Sequence, residues 1–211
     1  MAKMLILLGP QGAGNHLWSK IFSLHPKVYG WKTLLDNYWE AHRFSEPFAQ
    51  HWRDHTLLKS FDWSQSEYYF TSISLPLGII GSDANPVWMP DVQIFAESVL
   101  ACGIDVEFAV LGRDQFILAN QQTRIRTQPT LPMFLTQLSK ISNPTFLSYE
   151  LLYLYKQDYL KSLRLNIPVA WDDSRIDEIL ADDANAKYIH SVDYNELDKG
   201  NQLGITFKIK P

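Results

Sequence analysis

The chain has 211 residues, of which 46% are hydrophobic and 20% charged, and its formal net charge is −4 at pH 7. This composition is that of an ordinary globular protein and excludes a disordered chain, and the length predicts one domain over residues 1–211. No basic block is present, which excludes a nucleic-acid binder, and the single cysteine, Cys102, excludes an internal disulfide and a multi-cysteine metal site. No apolar run is long enough to span a bilayer, and residues 4–8 are too short for a signal peptide, so we expect a cytoplasmic protein.

The first third of the chain predicts a buried strand, a glycine loop and a helix. Residues 4–8 are a continuous apolar run of strand length that ends at Gly9, which is typical of a central parallel strand. Apolar residues then recur at helical spacing between Leu17 and Leu24, and Pro26 ends that helix. Residues 31–55 also predict helical structure, and they are rich in aromatic side chains.

The rest of the chain alternates between strand and helix patterns. The pattern predicts a loop over residues 76–90, a helix capped by Asp91 that runs to Leu100 before Gly103, and helices after the later strands. The predicted strands cover residues 68–75, 104–111 and 145–149, with a further edge strand over 205–209. Repeated alternation predicts an α/β fold of three layers, in which a central parallel sheet of four to five strands is covered by helices on both faces.

Three glycines, Gly9, Gly12 and Gly14, lie between the first strand and the first helix, with the spacing of a Walker A loop. Glycines allow backbone N–H groups to converge on phosphate oxygens, and the helix N-terminus adds positive potential. In a Walker A loop a lysine and a Ser or Thr follow the last glycine, whereas Asn15 and His16 stand there in this chain. We therefore expect a P-loop NTPase-like fold that binds an anion without ordinary ATPase chemistry; the alternative is a glycine turn without a ligand.

The loop and its flanks, Leu8 to Leu17, resemble the phosphosulfate loop of the sulfotransferases. In that family a loop of the type Gly-x-Pro-(Arg/Lys)-Ser-Gly-Thr-Thr-(Leu/Trp) lies between the first strand and the first helix, and Gly9, Gly14 and Leu17 match it. Three later segments of the chain resemble segments of the sulfotransferases and follow one another in the same order. They are Val110 to Asp114, with Gln121 eight residues after Arg113; Phe146 to Leu152; and Leu165 to Pro168.

This resemblance implies that the co-substrate is 3′-phosphoadenosine 5′-phosphosulfate, with no metal, and that a sulfuryl group passes to a hydroxyl or amine. Arg113 and Gln121 would hold the 3′-phosphate, as an Arg and a Ser do in the family. The remaining residues of the implied binding site are Gly9, Gln11, Gly12, Ala13, Gly14, Asn15 and His16. The acceptor would be a small molecule or a glycan, bound by residues 31–63 as a cap and by the loop 77–90.

The resemblance departs from the family at both catalytic positions. The family has a basic residue where Gly12 stands, and His16, if protonated, or Lys20 could replace its charge. The family's catalytic histidine ends a strand of the type Lys-Thr-His-Leu-Pro, and Ser74 takes its place in Ser72 to Pro76. His16 and Ser74 are therefore the predicted catalytic residues, with Asp83 and Asp91 as further candidates for the base.

Three alternatives stay open at the level of the sequence. A P-loop kinase would use the same loop for ATP, although it lacks the lysine and the magnesium hydroxyl. A non-catalytic member of the family would bind the nucleotide without transferring a group. Arg113 has an alternative role as a surface residue that pairs with Asp114 or another nearby carboxylate.

Overall fold

The computed structural model describes residues 1–78, 83, 86–126 and 129–185. Residues Met1–Ala181 form one compact unit, and Asp182–Pro211 form a second unit, of which residues 182–185 are described. The predicted edge strand over residues 205–209 lies outside the described residues.

Five parallel strands form the sheet, in the order β2-β3-β1-β4-β5. They are β1 Lys3–Pro10, β2 Val28–Tyr29, β3 Tyr68–Leu75, β4 Asp105–Gly112 and β5 Thr145–Ser148. The α-helices are α1 Asn15–Leu24, α2 His42–Ser45, α3 Ala49–Arg53, α4 Val92–Ala101, α5 Gln115–Arg126, α6 Leu131–Leu138, α7 Tyr149–Ser162 and α8 Arg175–Ile179. The predicted α/β fold with a parallel sheet of four to five strands is confirmed.

Alternate residues of β1 pack into two separate cores, one on each face of the sheet. Leu5 and Leu7 join a core that contains Trp18 and Phe22 of α1, together with residues of α7 and α8. Met4, Ile6 and Leu8 join a second core, which contains Trp52 of α3, Phe95 and Val99 of α4 and Phe134 of α6. Because successive side chains of a strand point to opposite faces, this division makes three layers with β1 buried on both sides.

The sequence correctly predicted the start and end of α4. The side chain of Asp91 accepts a hydrogen bond from the backbone N–H of Ile94 at 3.1 Å, and the helix ends at Ala101, two residues before Gly103. An N-cap aspartate satisfies an amide that has no partner within the helix.

The prediction of helices over residues 31–55 was only partly right. This part of the chain holds the short helices α2 and α3 and two 3₁₀ helices, Lys32–Asp36 and His55–Ser60. The break between α2 and α3 follows from Glu46, whose side chain accepts a hydrogen bond from Phe48 N–H and thereby turns the chain at Pro47. The strand β2 was not predicted, because two residues are too few to show a period.

Candidate functional site

The glycine loop lies at the carboxyl edge of the sheet, at the end of its central strand. β1 pairs with β3 on one side, where Gly9 lies opposite Ser74, and with β4 on the other, where Leu8 lies opposite Val110. Ligands of parallel α/β sheets bind outside the carboxyl ends of the strands, where the order of the strands reverses. The loop therefore occupies the position at which this fold binds ligands.

Two glycines give the loop its backbone conformation. The N–H of Ala13 donates to the carbonyl oxygen of Pro10 at 3.1 Å, and this turn requires the positive φ of 86° at Gly12. Gly14 has a φ of 101° and directly precedes α1, and a Cβ at this residue would lie 2.8 Å from the ring of Tyr149. The first amides of α1, beginning at Asn15, have no acceptor within the helix, so the loop presents backbone donors at a helix N-terminus.

The side chains of Gln11 and Asn15 fix the loop to β3 and to the chain just after it. Nε2 of Gln11 donates to the carbonyl oxygens of Pro76 and Gly78, at 2.6 and 2.7 Å, and Nδ2 of Asn15 donates to that of Ile73 at 3.1 Å. Both predicted binding residues are buried. Their side-chain amide groups therefore hold the loop in place.

The packing of Asn15 also explains why residue 9, the first residue of the loop, is a glycine. A Cβ at Gly9 would lie 2.7 Å from Oδ1 of Asn15 and 3.2 Å from Leu111. Asn15 Oδ1 is buried and accepts no hydrogen bond from the described part of the chain. The absence of a side chain at Gly9 thus allows Asn15 to pack beneath the loop.

Gln122 fixes the loop from the other side, and the sequence analysis did not single it out. Its Nε2 donates to the carbonyl oxygen of Gln11 at 2.6 Å, while its Oε1 accepts from Thr130 N–H at 2.7 Å. The neighbouring Gln121 was predicted instead, and no signal in the sequence separates the two glutamines. The burial of Gln122 follows from how α5 packs.

Arg113 and Gln121 come together at the glycine loop. Nη1 of Arg113 donates to the carbonyl oxygen of Gly12 at 2.5 Å and to Oε1 of Gln121 at 2.6 Å. Its guanidinium carbon lies 4.4 Å from the centre of the Tyr149 ring. The guanidinium is thus held between the loop and Tyr149, and Arg113 is buried rather than at the surface.

His16 is the second residue of α1 and packs among aromatic side chains. Its Nε2 lies 2.8 Å from the carbonyl oxygen of Glu40, which can only accept, so Nε2 carries the proton and Nδ1 is the acceptor of the neutral ring. The ring centre lies 5.1 Å from that of Trp31 and 5.8 Å from that of Trp39. Burial lowers the pKa of His16 below 6.5, and Lys20 lowers it further. A neutral imidazole suits a proton acceptor and does not supply the positive charge that the loop lacks.

Ser74 lies directly beside the loop, opposite Gly9 and half-buried. The other predicted candidates for the base are both exposed, and Asp91 caps α4. Within the predicted acceptor cap, Trp39 is 62% exposed and stacks on His16, whereas Trp52 is buried against Phe95. The aromatic residues of this segment therefore belong in part to the core, whereas the buried Trp31 and the exposed Trp39 both contact His16.

A buried polar cluster, which the sequence analysis missed, covers the open edge of β3. β2 pairs with Tyr68 and Tyr69, and beyond them Nε2 of His42 donates to the carbonyl oxygen of Ser72. Oε1 of Glu46 accepts from the Thr71 hydroxyl at 2.8 Å and from Ser72 N–H at 3.4 Å. The two side chains thus take the place of a neighbouring strand.

His42 and Glu46 are neutral neighbours rather than an ion pair. Burial raises the pKa of Glu46 to about 8, although hydrogen bonds from Thr71, Phe48 and Ser72 act to lower it. Burial lowers the pKa of His42 to about 4. The distance of 3.9 Å between His42 Nε2 and Glu46 Oε2 is too long for a hydrogen bond, and each group is shifted towards its uncharged form.

An open cavity of about 500 Å³ lies at the carboxyl ends of β4 and β5, beside Arg113. Asp114, Phe146, Ser148 and Glu150 contribute to its walls. Within the described residues, no three His, Cys, Asp or Glu side chains form a group that could hold a metal ion. Nor does that part of the chain contain a helix long and apolar enough to cross a membrane.

Fold and loop together define an α/β protein of the P-loop-like class, with a glycine loop after the first strand. We compared the chain with protein-family models, with curated proteins and with solved structures, and none of them matches it. Its function has therefore to be argued from the geometry of the site.

Proposed function

We propose that this chain is a sulfotransferase-like protein, which binds 3′-phosphoadenosine 5′-phosphosulfate and transfers its sulfuryl group to a hydroxyl or amine of a small-molecule or glycan acceptor. The observation that carries the proposal is the position of Arg113. This residue and Gln121, which the resemblance assigns to the co-substrate, lie within hydrogen-bond distance of each other, and Arg113 reaches the loop itself.

The loop fits a terminal phosphate or sulfate group. Gly12 and Gly14 have positive φ angles and bring the backbone close to any ligand, while the N-terminus of α1 contributes positive potential. Arg113 adds a permanent charge, which can bind two oxygens of one anion at once. Backbone donors and a guanidinium together favour a doubly anionic nucleotide as the ligand.

His16 supports catalysis as the base. Sulfuryl transfer forms a bond from the acceptor oxygen or nitrogen to sulfur and breaks the bond from sulfur to the bridging oxygen, and the acceptor gives up a proton. Nδ1 of neutral His16 can take that proton, because Nε2 is fixed on the carbonyl oxygen of Glu40. Ser74, opposite Gly9, would orient the acceptor from the neighbouring strand.

One observation separates this proposal from a kinase, and another favours a second candidate function. A P-loop kinase needs a cation at residue 15, and Asn15 instead donates to the carbonyl oxygen of Ile73. Nucleotide binding without turnover is the second candidate, and it is favoured by the neutral His16 and by Gly12, which leave the loop itself without a cationic side chain.

Isothermal titration tests the proposal. We expect adenosine 3′,5′-bisphosphate to bind without Mg²⁺, and the variant Arg113→Ala to lose about 2 kcal/mol of that binding free energy, which is the contribution of a charge-assisted hydrogen bond. The control variant Arg124→Ala removes a charge from an exposed position on the following helix, α5, and should bind as the wild type does. Binding of ATP that requires Mg²⁺, with none of the bisphosphate, would instead support the kinase. Transfer of labelled sulfate to a panel of phenols, sugars and amines then separates the enzyme from a non-catalytic binder.

A further inference from the structure

The glycine loop lacks a basic side chain of its own, and the space above Gly12 is filled from another element. A Cβ at Gly12 would lie 3.2 Å from the side chain of Gln121, so a side chain at residue 12 would have to displace that of Gln121. Nη1 of Arg113 donates to the carbonyl oxygen of the same residue. Side chains from the end of β4 and from α5 thus occupy the place that a basic residue of the loop would take.

We propose that Arg113 acts on the anion held by the loop itself, as the replacement for the missing basic residue, and not mainly on the 3′-phosphate. This inference rests on the proposed function for the identity of the nucleotide. It differs from the assignment that the resemblance implies, in which this arginine reads the second phosphate.

The physical reason is the contact with Gly12. The carbonyl oxygen of a loop carries partial negative charge, which opposes an anion on the neighbouring amides. A guanidinium that donates to this oxygen neutralises it and adds a full positive charge next to the loop, in a buried site where screening by water is weak.

Tyr149 fixes the guanidinium at this position. The centre of its ring lies 4.4 Å from the guanidinium carbon, and the ring packs so closely on Gly14 that a Cβ added there would lie 2.8 Å from it. Arg113, Tyr149 and the loop therefore form one packed unit. The charge is held in place before a ligand binds, which reduces the reorganisation that binding requires.

Three anions distinguish whether Arg113 binds the anion held by the loop or the 3′-phosphate. Inorganic pyrophosphate has no nucleoside, adenosine 5′-monophosphate has only the 5′-phosphate, and adenosine 3′,5′-bisphosphate has both phosphates. Their dissociation constants are measured without Mg²⁺ for the wild type, for Arg113→Ala and for the control Arg124→Ala. Arg113→Gln, which keeps a hydrogen-bonding amide and removes the charge, is measured in parallel in case the alanine variant does not fold.

We expect both substitutions of Arg113 to weaken all three ligands by a similar factor, about tenfold or more. The control variant should stay within about twofold of the wild type, since this is the range of most exposed surface changes. A loss confined to the bisphosphate would overturn the inference, because Arg113 would then read the 3′-phosphate. Unchanged affinities for all three would overturn it as well.

The same measurements test the proposed function independently of the role of Arg113. If the wild type binds pyrophosphate but neither nucleotide, and the substitutions of Arg113 weaken pyrophosphate, then the nucleotide assignment is wrong while the role of Arg113 at the loop stands. If the wild type binds none of the three ligands, both conclusions are wrong.

Discussion

The glycine loop, residues 9–16, and the polar cluster of His42 and Glu46 lie on either side of β3 and use polar side chains in different ways. In the loop, Gln11 and Asn15 donate to carbonyl oxygens of β3 and of the chain just after it, so that backbone amides stay at the ligand side. In the cluster, His42 and Glu46 satisfy the strand edge itself and are buried in their neutral forms. Changes in the cluster should therefore affect folding, whereas changes in the loop should affect both folding and the site.

Substitution of Glu46 in the cluster should cause the largest loss of stability. Glu46→Ala removes the acceptor of the Thr71 hydroxyl and of Phe48 N–H and leaves both groups buried, which should lower the free energy of unfolding by about 4 kcal/mol. Glu46→Gln resembles the protonated acid in shape and charge and should lose about 1 kcal/mol. Urea unfolding of the two variants measures the difference, and equal small losses would show that the carboxyl does not hold the strand edge.

A substitution in the glycine loop should lower stability by less, and the loss should depend on the contact with Tyr149. Gly14→Ala places a methyl group 2.8 Å from the ring at a left-handed φ, and we expect a loss of about 3 kcal/mol. Gly103 provides the matched control, because its φ is 79° and a Cβ there meets nothing within 4 Å. Gly103→Ala should therefore lose only about 1 kcal/mol of stability, which is the cost of the left-handed backbone conformation for alanine. If the two variants were equally stable in thermal unfolding, the contact of the loop with Tyr149 would be unimportant.

A smaller effect is expected on the pH dependence of stability, which Glu46 and His42 should both influence. The pKa of Glu46 is raised from 4.5 to about 8, so between these values the folded state keeps a proton that the unfolded state releases, and stability falls as pH rises. The pKa of His42 is lowered from 6.5 to about 4, so its contribution falls as pH drops below 6.5 and opposes that of Glu46 there. Above pH 6.5 the effect of Glu46 acts alone.

We therefore expect the wild type to lose about 2 kcal/mol relative to Glu46→Gln between pH 6.5 and 8. Unfolding in urea at several pH values, with both proteins in the same buffers, measures this difference. Parallel stability curves for the two proteins would mean that Glu46 is ionised in the folded state at neutral pH.

Local patterns explain why much of the fold was predictable. The apolar run of β1, the N-cap at Asp91 and the glycines of the loop each depend on a few neighbouring residues, and each has the predicted structure. The short helices of residues 31–55 were beyond such patterns, because His42 and Glu46 in this segment are held by buried contacts with β3, which is distant in the sequence. For the same reason His42 and Glu46 gave no signal: their burial follows from the shortness of β2.

Local patterns in the sequence predicted the parallel sheet and the glycine loop after its first strand, and the resemblance pointed to Arg113 and Gln121 as a pair. Tertiary packing brings Arg113 to Gly12, across 101 residues, and turns the side-chain amides of Gln11 and Asn15 towards β3 and the chain just after it. The physical reason is that periodicity and turn chemistry act over a few residues. Which side chains meet at the loop depends instead on the order and register of strands that come from distant parts of the chain.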